Sequence, residues 1–192
     1  MQDPTDPLSL TARHLLKLDP DAYGTLVPTS SGSVEARDLL ETVKPPQLLA
    51  SGVLKSPDDG EAMMAGLWLW HDSLGESHAI SQNLHGAAGS FWHAIMHRRE
   101  GDFSNAKYWY ARCADHPVLP SLGAKASAIL NPLPADKALL RLTVNGWNPN
   151  GFVDFVEQVH DRPDDPYYRL AVALQRLEWR VLFDHCTRAA GG

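Results

Sequence analysis

A helical hairpin is predicted by residues 91–117, FWHAIMHRREGDFSNAKYWYARCADHP. Helix-forming and aromatic residues lie on both sides of Gly101-Asp102, a pair typical of the turn between two helices. The pattern predicts one helix at about 91–100 and a second at about 104–114. The same 27 residues hold three histidines, three arginines, two aspartates, a glutamate and two tryptophans. Two interpretations follow: a packing unit that happens to be polar, or a functional site.

The clearest helix start in the chain is Ser56. Ser56 stands at the cap, Pro57 at the first helical position, and Asp59 three residues later completes an S-x-x-D capping box. The residues that follow are apolar nearly all round, which is typical of a buried helix. We therefore expect a central helix from about Pro57 to Leu84. A closing helix is predicted at 166–188, where apolar residues recur at helical spacing.

The fold class predicted is all-α: a single-domain helical bundle with one repeat-like hairpin and long Pro-rich connections. No segment combines strand alternation with turn residues strongly enough to require a sheet, and LLRLTV (139–144) is the one candidate strand. Residues 1–32 contain four prolines, which predicts an extended N-terminal arm with one short helix near 10–18. Residues 33–192 form the predicted helical domain, and Ser33 caps its first helix.

Charge and composition exclude several classes of protein. The formal net charge of −6 argues against nucleic-acid binding, which needs clustered Lys and Arg. No apolar run approaches the roughly 20 residues that span a bilayer, and the start MQDPTDPLSL lacks the features of a secretory signal, so no membrane partner is expected. Cys113 and Cys186 are far apart and form no CxxC motif. They are interpreted as reduced, buried thiols of a cytoplasmic protein.

The hairpin resembles a single tetratricopeptide-like unit. The small and aromatic positions of that pattern fall on these residues: Ala94, Gly101, Asp102, Phe103, Ala106, Tyr110 and Cys113. No second copy follows at a 34-residue period, so a repeat array is not supported. His93 and His97 occupy positions where the pattern has apolar packing residues. Because a buried polar group needs a partner, these histidines are either satisfied inside the hairpin or face a cavity that is used.

A longer resemblance extends over about residues 60–188. The segments GLWLWHDSLGESHAISQ, WHAIMHRREGDFSNAKYW and LQRLEWRVLFDHC are similar to those of a widespread family of functionally uncharacterised proteins. The resemblance is most specific in the HAIMHRRE core. It implies an all-helical fold and brings no catalytic residue to this chain.

Five of the histidines have informative spacings. His71, His78 and His85 follow one another by seven residues, which on a continuous helix gives one stripe with steps of about 10 Å, too long for two of them to share a metal ion. His93 and His97 are four residues apart, the spacing that lets two imidazoles bind one ion.

A divalent metal is therefore a candidate cofactor, with His93 and His97 as candidate ligands. Glu100 follows on the same face, and His78 or His71 could complete a tetrahedral or open site. Ala94 stands where the zinc-protease motif has its glutamate, so that signature is not present. The alternative interpretation is that each histidine is a satisfied core group, bonded to a carbonyl or carboxylate.

Charged residues near these histidines are further candidates. Asp72 and Glu76 form an i,i+4 carboxylate pair, suited to acid–base work or to a solvated helix edge. Arg98 could grip a carboxylate or phosphate, or pair with Glu100 or Asp102.

Two hypotheses of function result. The first is a site for a small-molecule ligand, enzymatic or metal-assisted, with catalytic candidates at these positions: His71, Asp72, His78, Arg98 and Glu100. The second is a non-catalytic helical interaction module that binds a peptide or protein partner through the hairpin. Convergence of the imidazoles within hydrogen-bond reach of a shared cavity favours the first hypothesis, and their dispersal into separate packing contacts favours the second.

Overall fold

The structure, a computed structural model, describes residues 6–133 and 136–191, so residues 1–5 of the predicted arm lie outside it. Within these residues the chain forms helices and isolated β-bridges but no strand, which confirms the all-α class. LLRLTV forms the end of a short helix and a turn. The helices are α1 (Leu10–Leu15), α2 (Val34–Thr42), α3 (Pro57–Trp70), α4 (Leu74–Ser81), α5 (Ala87–Glu100), α6 (Phe103–Ala111), α7 (Leu119–Leu130), α8 (Lys137–Leu140), α9 (Pro149–Val159) and α10 (Pro166–Gly191), with a 3₁₀ helix at Pro45–Leu48.

The predicted hairpin is formed by α5 and α6. Gly101 ends α5 with a left-handed conformation (φ 87°), which glycine adopts without strain. The Asp102 carboxylate then accepts a hydrogen bond from the Asn105 backbone N–H at 3.1 Å and caps α6. Ala106 is fully buried where the two helices meet. The hairpin is part of the interior, because every residue of α5 from 89 to 99 is buried.

The predicted continuous helix from Pro57 to Leu84 was wrong. The chain leaves α3 after Trp70 and begins α4 at Leu74, and between them Asp72 has φ 57°, in the left-handed region. The fully buried Arg99 holds this break, because its guanidinium donates to the Asp72 carboxylate at 2.7 Å and to the Leu69 carbonyl at 2.7 Å. Since the helix is interrupted, the seven-residue histidine spacing no longer produces one stripe.

The N-terminal segment shares the core of the helices that follow it. Its one short helix was predicted and is α1. Leu15, Tyr23 and Leu26 are fully buried, and the Thr25 carbonyl accepts hydrogen bonds from Arg99 (3.1 Å) and Gln175 (2.9 Å). The described part of the segment is thus packed against the bundle along its length.

A close approach lies where the turn after α4 meets the start of α5. At Gly89, in the first turn of α5, an added Cβ would lie only 2.3 Å from the Leu84 Cβ and 2.7 Å from the Leu84 carbonyl oxygen. Glycine is therefore required here, because any side chain would push the two helices apart. The short turn brings the face of α4 that carries His78 against the face of α5 that carries His93.

Candidate functional site

Three histidines converge between α4 and α5. One ring nitrogen each of His78, His93 and His97 lies within 4.8 Å of the other two. The His93 and His97 rings, one helical turn apart, are nearly parallel with centroids 4.7 Å apart. His78 meets both rings edge-on, at 4.8 Å from His93 and 5.5 Å from His97. The structure thus brings the i,i+4 pair together with one of the two histidines expected to complete it.

His93 is the innermost member of the cluster and lacks partners. Its side chain is buried, and neither Nδ1 nor Nε2 has a hydrogen-bond partner within the described residues. Burial, together with the neighbouring His97 and His78, lowers the pKa of His93 to about 4. The imidazole is therefore neutral at pH 7 and has a lone pair on one nitrogen. Buried polar side-chain atoms are normally hydrogen-bonded, so two orphaned nitrogens on one ring require an explanation.

His97 is held in a defined tautomer by Glu100. Its Nδ1 lies 3.2 Å from Glu100 Oε2, so Nδ1 carries the proton and Nε2 the lone pair. Burial lowers the pKa of His97, and the Glu100 carboxylate opposes that shift. The Asn105 amide nitrogen lies 3.1 Å from Nε2 and 3.4 Å from Nδ1, so Asn105 is the partner that a metal ion bound at Nε2 would displace. In metal sites a histidine ligand commonly donates its other ring N–H to a carboxylate, which is the relation of His97 to Glu100.

The wall of the site opposite α4 is one face of α6. Asn105, Trp109 and Arg112 follow at i, i+4 and i+7, which places them on the same side of the helix. The Trp109 indole stacks on His93 with centroids 4.0 Å apart and an interplanar angle of 17°. The sequence analysis did not predict these three residues as site residues. Their spacing of four and three residues does place them on one face of the second helix of the predicted hairpin.

His71, His85 and Asp72 lie outside the cluster. His71 Nε2 is 3.0 Å from the Leu15 carbonyl oxygen, so this ring is bonded to the N-terminal segment, although its buried Nδ1 has no partner within the described residues; His85 is exposed. The expectation that His71 lines the same site is therefore corrected. Asp72 binds Arg99, and its supposed partner Glu76 binds Arg37 at 3.1 Å. The i,i+4 carboxylate pair is consequently not formed, because the helix break separates the two residues.

Arg98 also lies outside the cluster, in a buried polar network. Its guanidinium donates to Glu178 Oε2 at 2.6 Å and to the Tyr110 hydroxyl at 2.6 Å, and both charged side chains are fully buried. Tyr110 and the Trp147 indole N–H in turn donate to Glu178 Oε1, at 3.0 and 3.3 Å. Arg98 therefore binds an acid of α10, and neither a ligand nor the adjacent acids that the sequence suggested.

A second histidine pair lies apart from the cluster. His116 is buried, and its Nδ1 accepts the Val118 backbone N–H at 3.3 Å, while His185 contacts its ring edge-on at 4.9 Å. Burial, and then the His185 charge, lowers the pKa of His116 to about 4, against the opposing effect of Asp115.

This lowered pKa predicts a loss of stability in mild acid. Between the ordinary histidine value of about 6.5 and about 4, the unfolded chain takes up a proton at position 116 that the folded chain does not. The free energy of unfolding should therefore fall as the pH drops through this window and level off below it. His116→Asn keeps an acceptor for Val118 and removes the titration. Urea titrations from pH 7.5 to 4 should give a flatter pH profile for this variant, and an unchanged slope would contradict the assignment.

The three converging nitrogens match the ligand preferences of a zinc-type ion. Neutral imidazoles suit Zn²⁺ and neighbouring transition metals, and three protein ligands leave one position open. An ion with Zn–N bonds of about 2.0–2.1 Å holds tetrahedral ligand nitrogens about 3.3 Å apart. The present nitrogens lie within 4.8 Å of one another, so their separations would have to shorten by up to about 1.5 Å to bind one such ion. Among the described residues, no other group of three or more His, Cys, Asp or Glu side chains is arranged this way.

Comparisons with protein-family models, with curated proteins and with solved structures find no match to this chain. The resemblance to the WHAIMHRRE-type family therefore stays a prediction. Among the helices of the described chain, none combines the length and the apolar character needed to cross a lipid bilayer.

Proposed function

We propose that this chain is a metalloprotein in which His78, His93 and His97 bind one divalent ion of the zinc type and leave a fourth position open. The observation that carries the proposal is the state of His93. This imidazole is buried, neutral and without a partner at either nitrogen, and the nitrogens of two further imidazoles point to the same place. A bound ion would supply the partner that the fold does not.

The surroundings of the cluster support an open, reactive site over a purely structural one. Structural zinc sites are closed by four protein ligands, whereas catalytic sites have three protein ligands and an open position. An ion of this kind lowers the pKa of a bound water to about 7 and polarises carbonyl or phosphoryl oxygens. In this chain Glu100 orients His97, Trp109 fixes the His93 ring, and the partly exposed His78 lies on the solvent side. We infer a metal-assisted enzyme that acts on a small molecule.

A non-catalytic interaction module receives less support. That function needs the hairpin to present an apolar groove to a partner, but α5 is buried from 89 to 99 and α6 covers it. The histidines also converge on one point rather than dispersing into separate packing contacts, which is the arrangement expected of a site.

Metal titration of untagged protein tests the proposal. After treatment with a chelator and its removal, isothermal titration with Zn²⁺ should give one tight site per chain. His93→Ala should weaken binding by at least about 100-fold, since it removes one of three ligands. His85→Ala, an exposed histidine outside the cluster, should leave binding unchanged. A wild-type chain that binds no zinc, or a His93→Ala variant that binds as tightly as wild type, would overturn the proposal.

A further inference from the structure

We propose that the open position of the three-histidine site takes a small oxyanion, a carboxylate or phosphate group, which Arg112 also holds. This inference rests on the proposed metal site and names the class of ligand it accepts. Arg112 was not singled out by the sequence. Its guanidinium contacts the Trp109 indole, and the same indole stacks on His93.

Aromatic contacts hold the Arg112 guanidinium against the indole that also stacks on His93. Its Cζ lies 5.2 Å from the centroid of the Trp109 ring and 5.9 Å from that of Tyr108. Trp109 is the same ring that stacks on His93 at 4.0 Å, so the cation and the candidate ligand contact one indole. Such cation–π contacts leave the N–H donors of the guanidinium in the plane of the group, where they can still bind an anion.

The charge of Arg112 is not neutralised by the protein. Arg112 is exposed, and within residues 6–133 and 136–191 its only polar contact is a long hydrogen bond from Nη1 to the Tyr108 hydroxyl at 3.5 Å. Its neighbours on the hairpin differ: Arg98 and Arg99 are buried against Glu178 and Asp72. In a chain with a formal net charge of −6, an unpaired guanidinium is a local positive centre.

The chemistry of these groups favours an oxyanion over a neutral ligand. A divalent ion with three neutral ligands keeps its full positive charge and attracts an anion to the open position. The planar fork of arginine matches the paired oxygens of a carboxylate or phosphate. A bound metal ion and the Arg112 guanidinium would thus supply two positive groups to one oxyanion.

Cobalt-loaded protein provides the test. Co²⁺ bound by three imidazoles absorbs visible light, and the spectrum changes when an anion enters the open position. Titration with inorganic phosphate and, separately, with acetate should give a saturable change with at least one of them. Arg112→Met should weaken that binding by about tenfold or more, because a charge-assisted contact is lost, without altering cobalt affinity. The matched control is Arg169→Met, which removes an exposed arginine of α10 outside the site.

The outcomes separate this inference from the metal proposal. No cobalt spectrum in wild-type protein overturns the metal site and the anion site together. Cobalt binding without any spectral response to either anion overturns the anion site alone. Equal anion affinity in wild type, Arg112→Met and Arg169→Met removes Arg112 from the site. A response to phosphate but not acetate, or the reverse, supports the inference and identifies the oxyanion.

Discussion

Replacing Glu178 with glutamine should lower the free energy of unfolding by about 3–5 kcal/mol, the largest loss we expect from a single conservative substitution. Glu178 and Arg98 are fully buried and joined at 2.6 Å, and Tyr110 and Trp147 complete the carboxylate's hydrogen bonds. The glutamine has nearly the same size, so packing is retained. The guanidinium, however, loses its counter-charge in a place where water cannot replace it.

Urea titration at pH 7 measures this loss, and two variants serve as controls. Glu76→Gln removes an acid of the half-exposed pair with Arg37 and should cost less than about 1 kcal/mol. Arg98→Met combined with Glu178→Leu removes both charges and should be closer to wild type than Glu178→Gln alone. If Glu178→Gln were as mild as Glu76→Gln, the buried ion pair would not contribute to the fold in this way.

The second large effect concerns the histidine cluster and zinc. For wild-type protein, free Zn²⁺ at about 1,000 times its dissociation constant should raise the free energy of unfolding by about 4 kcal/mol. The double variant His93→Phe, His97→Leu should show no zinc-dependent change, because two of three ligands are gone. The phenylalanine can still stack on Trp109, so the helices remain packed. Thermal or urea denaturation with and without zinc measures the difference.

The same double variant, studied in the presence of a chelator, tests whether the two histidines stabilise the fold in the absence of metal. His93 has no hydrogen-bond partner that its replacement would leave unpaired, and the partners of His97, the exposed Glu100 and the partly exposed Asn105, can be hydrated. Stability without metal should therefore equal or exceed that of wild type, since apolar packing replaces unsatisfied polar atoms. A loss of about 1–3 kcal/mol for each replaced histidine would mean that both are structural groups with partners in the core.

Local patterns predicted the parts of the site that depend on neighbouring residues. Gly101 and Asp102 indicated the turn, and the capping aspartate does bind the backbone of α6. The four-residue spacing of His93 and His97 sufficed to place both imidazoles on one face with Glu100 beside them. These relations follow from helix geometry alone and need no knowledge of the rest of the chain.

Contacts between distant residues could not be predicted in this way. Glu178 lies 80 positions from Arg98, and no periodicity connects the two. The break at Asp72 depends on a left-handed conformation at a non-glycine residue, which is held by Arg99 from another helix. Without knowledge of this contact, residues 57–84 are interpreted as one continuous helix, and His71, His78 and His85 are assigned to one stripe on it.

The short turn between α4 and α5 (82–86) has a consequence for the order in which the molecule assembles. Because α4 and α5 meet through that turn, the proposed metal ligands and Arg112 all come from the 35 consecutive residues between His78 and Arg112. Contacts this close in sequence form at low entropic cost and early in folding, whereas the Arg98–Glu178 pair must wait until α10 has docked. An ion at the proposed site would then bind as soon as α4, α5 and α6 have packed together. We therefore expect zinc to raise the refolding rate and not only to slow unfolding.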